Sequence, residues 1–309
     1  MDLTQPIAYL ERIAAYYQAL GYGEPYRFAR FDAAPFAPMR KPLAEACIAL
    51  VTTAAPFKPE LGDQGPGALY NAAAKFYEVY ALPIEPPPDL RISHVAIDRK
   101  HTSAEDPGTW LPLTALKAAE REGRIGALAS RVYGMPTNRS QRTSIDKDAP
   151  AVLELMREDR ADAAVLVANC PVCHQSIALA ARHLEANGIP TVVLGCARDI
   201  VEHVGVARFL FSDFPLGNAA GRPHDPDSQR QTLALALDLL MTATAPRATV
   251  QSPLVWPGDP SWKLDYSNPE RMTPAEIAEA RRRFDAGREI AQRLKASGAH
   301  SGGVDTGSP

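Results

Sequence analysis

Two thiols three residues apart, in Cys170-Pro171-Val172-Cys173-His174, are the groups in this chain best suited to chemistry. The apolar run from Ala163 to Ala168 ends just before them, and an apolar helical pattern begins at once. The spacing predicts Cys170 at the mouth of a buried strand and Cys173 on the first turn of a helix. Backbone N–H groups and the helix dipole there favour an anion, so a thiolate at Cys170 would be stabilised. Three chemistries fit the string. In a redox dithiol, Cys170 is the nucleophile and Cys173 the resolving thiol. In a metal site, Cys170, Cys173, His174 and Cys196 supply a tetrahedral set, although Cys196 lacks a close-spaced partner. As a haem attachment string, Cys-x-x-Cys-His lacks an obvious axial methionine here. Two inert half-buried cysteines are the plainest reading. The strand–helix context favours the dithiol, with no bound metal or other cofactor expected.

The elements that must position these thiols follow a regular rhythm. Helix 149–159, strand 163–168, helix 173–187, strand 190–195, helix 197–203, strand 207–211 and helix 225–243 alternate, with Gly188 and Gly205 at helix-to-strand turns. Upstream, 46–53 and 90–98 read as buried strands and 112–122 as a helix. Apolar strands alternating with helices predict an α/β fold, a mostly parallel sheet covered on both faces, with ligands beyond the carboxyl ends of the strands. The expected organisation has four parts. An N-terminal helix and arm span 1–40. Two Rossmann-like lobes span 41–135 and 136–245, with the active site in the cleft between them. A C-terminal strap, helix and tail span 246–309. Within the last part, Trp256, Trp262 and Tyr266 read as a packed strap, Thr273 and Glu276 as a capping box opening a helix to about Ala296, and Ser297 to Pro309 as disorder.

The whole chain narrows the function classes. Its 309 residues are 46% hydrophobic, with a net charge of −3 and four cysteines. That charge gives no footprint for nucleic acid or an anionic membrane surface. No apolar run approaches the roughly 18 residues of a membrane span, and the first residues lack a signal-peptide pattern. A reducing cytoplasm is therefore the expected setting, where a Cys-x-x-Cys pair means redox chemistry or metal more often than a structural disulfide. The long apolar arms favour a homo-oligomer.

Other residues are placed to assist. His94 could donate a proton to a leaving group, and Asp98 could orient a substrate ammonium or His94. His174, as an imidazolium, would lower a neighbouring thiol pKa. The Gly217-Asn218 turn could hold a carboxylate through backbone N–H groups, and Arg139 or Arg142 could fork onto one. Each has a plainer alternative: a hydrogen-bonded strand histidine, a solvated helix residue, an ordinary turn, exposed loop arginines.

Several segments together resemble one family, the selenoprotein B subunit of glycine, sarcosine and betaine reductases and of D-proline reductase. Lys41 to Ala55 resembles its first strand and following loop. Ser93-His94-Val95-Ala96-Ile97-Asp98 resembles its Ser-His-x-x-x-Asp segment. Leu113 to Gly126 resembles the next helix and glycine turn, and Pro215-Leu216-Gly217-Asn218 a turn near the end of the sheet. The resemblance spans about residues 40–245. In that family the position of Cys170 is typically selenocysteine followed by Gly-x-Cys; here it is sulfur, and Pro171 replaces the glycine. Cys173-His174-Gln175-Ser176 is closer to the proline reductase form. The resemblance implies reductive cleavage of a carbon–heteroatom bond in a small amino-acid-like substrate. It also implies a pyruvoyl group on a separate partner subunit and return of electrons from a thioredoxin-like dithiol. A metal-binding or regulatory thiol protein, and a general disulfide oxidoreductase, are the alternatives.

Overall fold

Central strands built almost wholly of small and branched apolar residues can be buried on both faces, and here they are. In the computed structural model, which describes residues 2–296, Ala163–Val167 and Thr191–Gly195 have every residue buried. The strands are β1 Cys47–Thr52, β2 Ala55–Pro56, β3 Tyr80–Pro83, β4 Leu90–Arg91, β5 Ala127–Gly134, β6 Ala163–Val167, β7 Thr191–Gly195, β8 Arg208–Phe211 and β9 Ala248–Gln251. Seven of them form one sheet in the order β3-β5-β1-β6-β7-β8-β9. Every pairing is parallel except β3 with β5. The expected α/β class with a mostly parallel sheet is present. The strands assigned to two lobes nevertheless share this sheet, because β1 pairs with β5 on one side and with β6 on the other.

The helices are α1 Tyr9–Ala19, α2 Leu113–Arg121, α3 Gln141–Thr143, α4 Ala149–Glu158, α5 Pro171–Ala186, α6 Arg198–Val204, α7 Pro226–Thr242 and α8 Pro274–Ala296. α5 packs between α4 and α6, and α1 lies on α6; α2 and α7 pack together. The segment carrying Arg139 and Arg142 is partly helical: α3 widens into a π turn over Ser144–Asp148 that leads into α4. The strand expected over 90–98 is only the two-residue β4, paired with β2. A turn closed by Val95 N–H on the Ile92 carbonyl follows. The capping box forms as expected, with the Glu276 carboxylate accepting from Thr273 and the Thr273 hydroxyl accepting from Glu276 N–H. The tail from Ser297 onward lies outside the described residues. Among the described residues, no helix is long and apolar enough to cross a membrane.

A fully buried ion pair ties the N-terminal arm to the sheet. Arg208 on β8 donates to Glu185 at 2.9 Å, and neither side chain is exposed. Glu185 also accepts from Thr191 and from Ala37 N–H, while Arg208 donates to the Ala37 carbonyl and lies over the Phe36 ring. Burial lifts the Glu185 carboxyl, and these donors oppose that. Beyond the carboxyl end of β8, Lys263 of the strap reaches Asp213 and the carbonyls of Leu3 and Gln5. Arg12 of α1 donates to the carbonyls of Lys263 and Tyr266, and Tyr9 stacks edge-on against Tyr266.

Candidate active site

The chain leaves β1 toward β5 on one side of the sheet and later returns to place β6 on the other. Neighbouring strands whose connections diverge leave a crevice at their carboxyl ends, where ligands of open parallel sheets bind. The switch point lies between β1 and β6, and Cys170 follows β6 by three residues.

Cys170 is the N-cap of α5, in extended conformation, with Pro171 at the first helical position where its missing N–H costs nothing. Its Sγ accepts from Cys173 N–H at 3.2 Å. Cys170 is 4% exposed and Cys173 fully buried. The two sulfurs are bonded to each other, with Cα atoms 4.8 Å apart. On reduction, Cys170 would be the thiol that meets a helix N-terminus and a backbone donor, which favours its thiolate.

His174 holds this junction in place. Its Nδ1 lies 2.7 Å from the Cys170 carbonyl, and its Nε2 accepts from Cys196 N–H at 2.8 Å and Ala197 N–H at 3.0 Å. Two donors on Nε2 leave the proton on Nδ1 and the ring neutral. Burial pushes its pKa down to about 4. Gly195 makes room for it: a Cβ there would come within 2.7 Å of the ring. The imidazolium expected at His174 therefore does not form; the ring positions Cys170 through its carbonyl. With both nitrogens used, His174 also offers no lone pair to a metal, and Cys170 and Cys173 are taken up by each other. Among the described residues no group of three or more His, Cys, Asp or Glu is arranged to hold a metal ion.

On the β1 side, Asn169 Nδ2 donates to Thr53 Oγ1 at 3.1 Å, while Asn169 Oδ1 is buried with no hydrogen-bond partner. His94, 1% exposed, lies near the Thr53 backbone and edge-on to Phe76, with both ring nitrogens unpartnered. Burial, reinforced by Lys75, pushes its pKa down to about 3. Thr53 thus lies between His94 and Asn169, the residue preceding Cys170. Thr53 and Asn169 were missed from sequence; for Asn169 the available signal was a polar residue two positions beyond the wholly apolar β6.

The unpartnered ring yields a stability test. A histidine with ordinary pKa near 6.5 takes up a proton on unfolding below that pH, but folded His94 takes it only near pH 3. Its contribution is present above pH 6.5 and is lost as the pH falls toward 3. Raised carboxyls such as Asp98 and Asp199, lifted by burial, act in the opposite sense. The histidine's share is therefore read by comparison with His94→Leu. On going from pH 7 to pH 5, the wild type should lose about 2 kcal/mol more unfolding free energy, measured with urea, than the variant loses. Equal losses would show that His94 is not held neutral.

The remaining expected groups lie elsewhere along the carboxyl edge. Asp98 pairs with His101 Nδ1 at 3.0 Å, and His101 Nε2 with Asp265 at 3.2 Å. Asp98 thus faces the strap rather than His94. Gly217, at φ +108°, lies under Ile97, and Asn218 is spent on Thr102 and the Pro215 carbonyl. This turn is buried and holds Cys196 from above, with the Asn218 and Phe214 backbones opposing the rise that burial imposes on its thiol pKa. Arg139 lies among the rings of Tyr17, Tyr26 and Phe284, and Arg142 is exposed on α3. The structure therefore gathers Cys170, Cys173, His174 and Cys196 at one junction with His94 opposite, and leaves Arg139 clasping the two ends of the chain.

Comparison with known proteins gives a consistent result. The model of the glycine/sarcosine/betaine reductase selenoprotein B family matches residues 17–169, from α1 through β6, ending one residue before Cys170. The gamma subunit of D-proline reductase from Acetoanaerobium sticklandii is 28% identical over 143 residues, 46% of this chain and 59% of that protein. A component B gamma subunit of the glycine reductase complex from Carboxydothermus hydrogenoformans is 27% identical over 219 residues, 69% of this chain and 49% of that protein. The counterpart from Peptoclostridium acidaminophilum is 28% identical over 142 residues, 45% of this chain and 32% of that protein. The chain thus spans between about a third and three fifths of the length of these curated relatives. No solved structure is a significant match. The matched segment carries β1, the Ser93-His94 turn and the approach to the thiols, and the chain is a relative of the glycine/sarcosine/betaine reductase selenoprotein B family.

Proposed function

We propose that this chain is the thiol-bearing subunit of a reductase that cleaves a carbon–nitrogen bond in a small amino-acid-like substrate. The observation that carries the reading is the bonded Cys170–Cys173 pair at the N-terminus of α5, next to the switch point between β1 and β6. In the reduced protein, the Cys170 thiolate attacks the carbon bearing the amine; a C–S bond forms, the C–N bond breaks and the amine leaves with a proton. Cys173 then attacks the Cys170 sulfur. The S–S bond forms, the S–C bond breaks, and the carbon keeps the electron pair and takes a proton. The substrate gains two electrons and the dithiol loses two. A thioredoxin-like dithiol restores the pair, which suits a reducing compartment such as the cytoplasm. The names of the relatives, subunits of D-proline and glycine reductases, support a multi-subunit assembly. A pyruvoyl group on a partner subunit would activate the substrate carbon for both steps.

The chain's own residues divide these tasks. Cys173 N–H and the helix dipole favour the Cys170 thiolate. His174 keeps the Cys170 carbonyl, and with it the N-cap, in register with β7. His94 and Asn169 Oδ1 are the unsatisfied polar groups that a substrate amine or its leaving proton would meet. The test is the pH dependence of Cys170 alkylation in Cys173→Ser protein, followed by peptide mapping. Half-maximal reactivity well below pH 8.5, the ordinary thiol range, is expected. An ordinary or higher value would sink the reading, because sulfur in place of selenium needs the helix to ionise it.

A further inference from the structure

The two edges of the sheet are treated differently. The β3 edge is blunted: Pro83 ends the strand, the chain continues through Glu85 to a run of three prolines, and Glu85 pairs with Lys117. Within β9 itself, Ala248–Gln251, there is neither proline nor charge; Arg247 and Pro253 lie outside its two ends. From Ala248 to Pro257 the sequence holds no charged side chain. Val250 is 37% exposed and Val255 is 74% exposed. Ala248 N–H donates to the Ala207 carbonyl and Ser252 N–H to that of Phe211, so residues 248, 250 and 252 face β8. The alternation of a ladder then turns the N–H and C=O groups of Thr249 and Gln251 outward, where no strand among the described residues meets them.

We infer that β9 is the docking edge for a second copy of this chain, paired antiparallel about a twofold axis through Val250. Its outward groups are self-complementary. Thr249 of each copy exchanges both backbone hydrogen bonds with Gln251 of the other, giving four bonds, and the two Val250 residues face each other as the close, non-hydrogen-bonded pair. A charge-free edge lets two chains of net charge −3 meet without like charges in contact. The same lack of charge gives an acidic or basic partner nothing to recognise. Val255, four residues beyond the strand, supplies apolar surface to flank the contact.

Size-exclusion chromatography with light scattering should give the wild type a mass near twice 33.4 kDa. Thr249→Pro removes an outward N–H and leaves the bonds to β8 untouched, so it should halve the mass with unchanged circular dichroism. Val250→Cys should cross-link two copies under oxidation, because Cα atoms of a close antiparallel pair lie about 4.5 Å apart, within disulfide range. A monomeric wild type, a dimeric Thr249→Pro protein, or a Val250→Cys protein that forms no cross-link overturns the inference.

Discussion

Cys170→Ser protein is expected to lose at least about 10⁴-fold in turnover while keeping its fold, as removal of a covalent nucleophile does elsewhere. Serine is a preferred N-cap residue, and its Oγ can accept from the Cys173 N–H now received by Sγ. The start of α5 should therefore persist, and the Cys170 carbonyl that His174 holds is unchanged by the substitution. Compared under reducing conditions, so that loss of the Cys170–Cys173 bond does not enter, the two proteins should unfold at similar urea concentrations. Turnover in the reconstituted complex would separate the readings: a variant with most of its activity means that Cys170 is not the nucleophile. A variant that unfolds early would point to a structural cysteine, contrary to the N-cap argument. Cys173→Ser should differ in kind, since it retains the attacking sulfur and loses only the step that releases product.

The second large effect concerns stability. Glu185→Ala leaves the Arg208 guanidinium buried without its carboxylate and deprives Thr191 and Ala37 N–H of their acceptor. Breaking one side of a buried pair in this way costs about 3–5 kcal/mol, chiefly through the uncompensated charge left behind. The loss should appear as a lower urea midpoint. It should also appear as faster proteolysis of the arm at 20–40, because the Ala37 backbone is clamped by both members of the pair. Glu185→Gln keeps the shape and one acceptor and should fall between wild type and alanine. A loss below about 1 kcal/mol for Glu185→Ala would show that Arg208 finds other partners or reaches water.

The regular βα rhythm from residue 149 to residue 242 was legible because its strands are buried on both faces and its helices carry apolar stripes. The same rule misled at 90–98. Leu90, Ile92, Val95 and Ile97 are all buried, which mimics a central strand, but they pack as an irregular turn beneath the 214–218 segment. β3, β5 and β9 went unread. β5 carries an arginine that pairs with Asp159, β3 ends in proline and β9 is half exposed, so none shows a clean period. The continuity of the sheet depended on β1 lying between β5 and β6, a matter of strand order that periodicity does not encode. At the site, the placement of Cys170 and Cys173 at a strand–helix junction was legible from spacing. The role of His174 was not, because its partners are backbone N–H groups of Cys196 and Ala197, twenty-two and twenty-three residues away.

The clasp of α1 against the strap has a consequence for the order of assembly. Arg12 reaches carbonyls 251 and 254 residues further along, and Lys263 reaches back 258 and 260 residues to Gln5 and Leu3. Contacts at such separation join distant parts of the chain, so during synthesis α1 can meet α6 first, through Leu10 N–H on Asp199, but its bonds to the strap must wait until the strap has been made. The sheet and its thiol junction can form earlier, from segments closer in sequence. Native-state hydrogen exchange should then find α1 and residues 260–271 opening together as one cooperative unit, at lower free energy than β6 and β7. A chain cut short before Trp262 should keep its central strands and lose protection in its first helix.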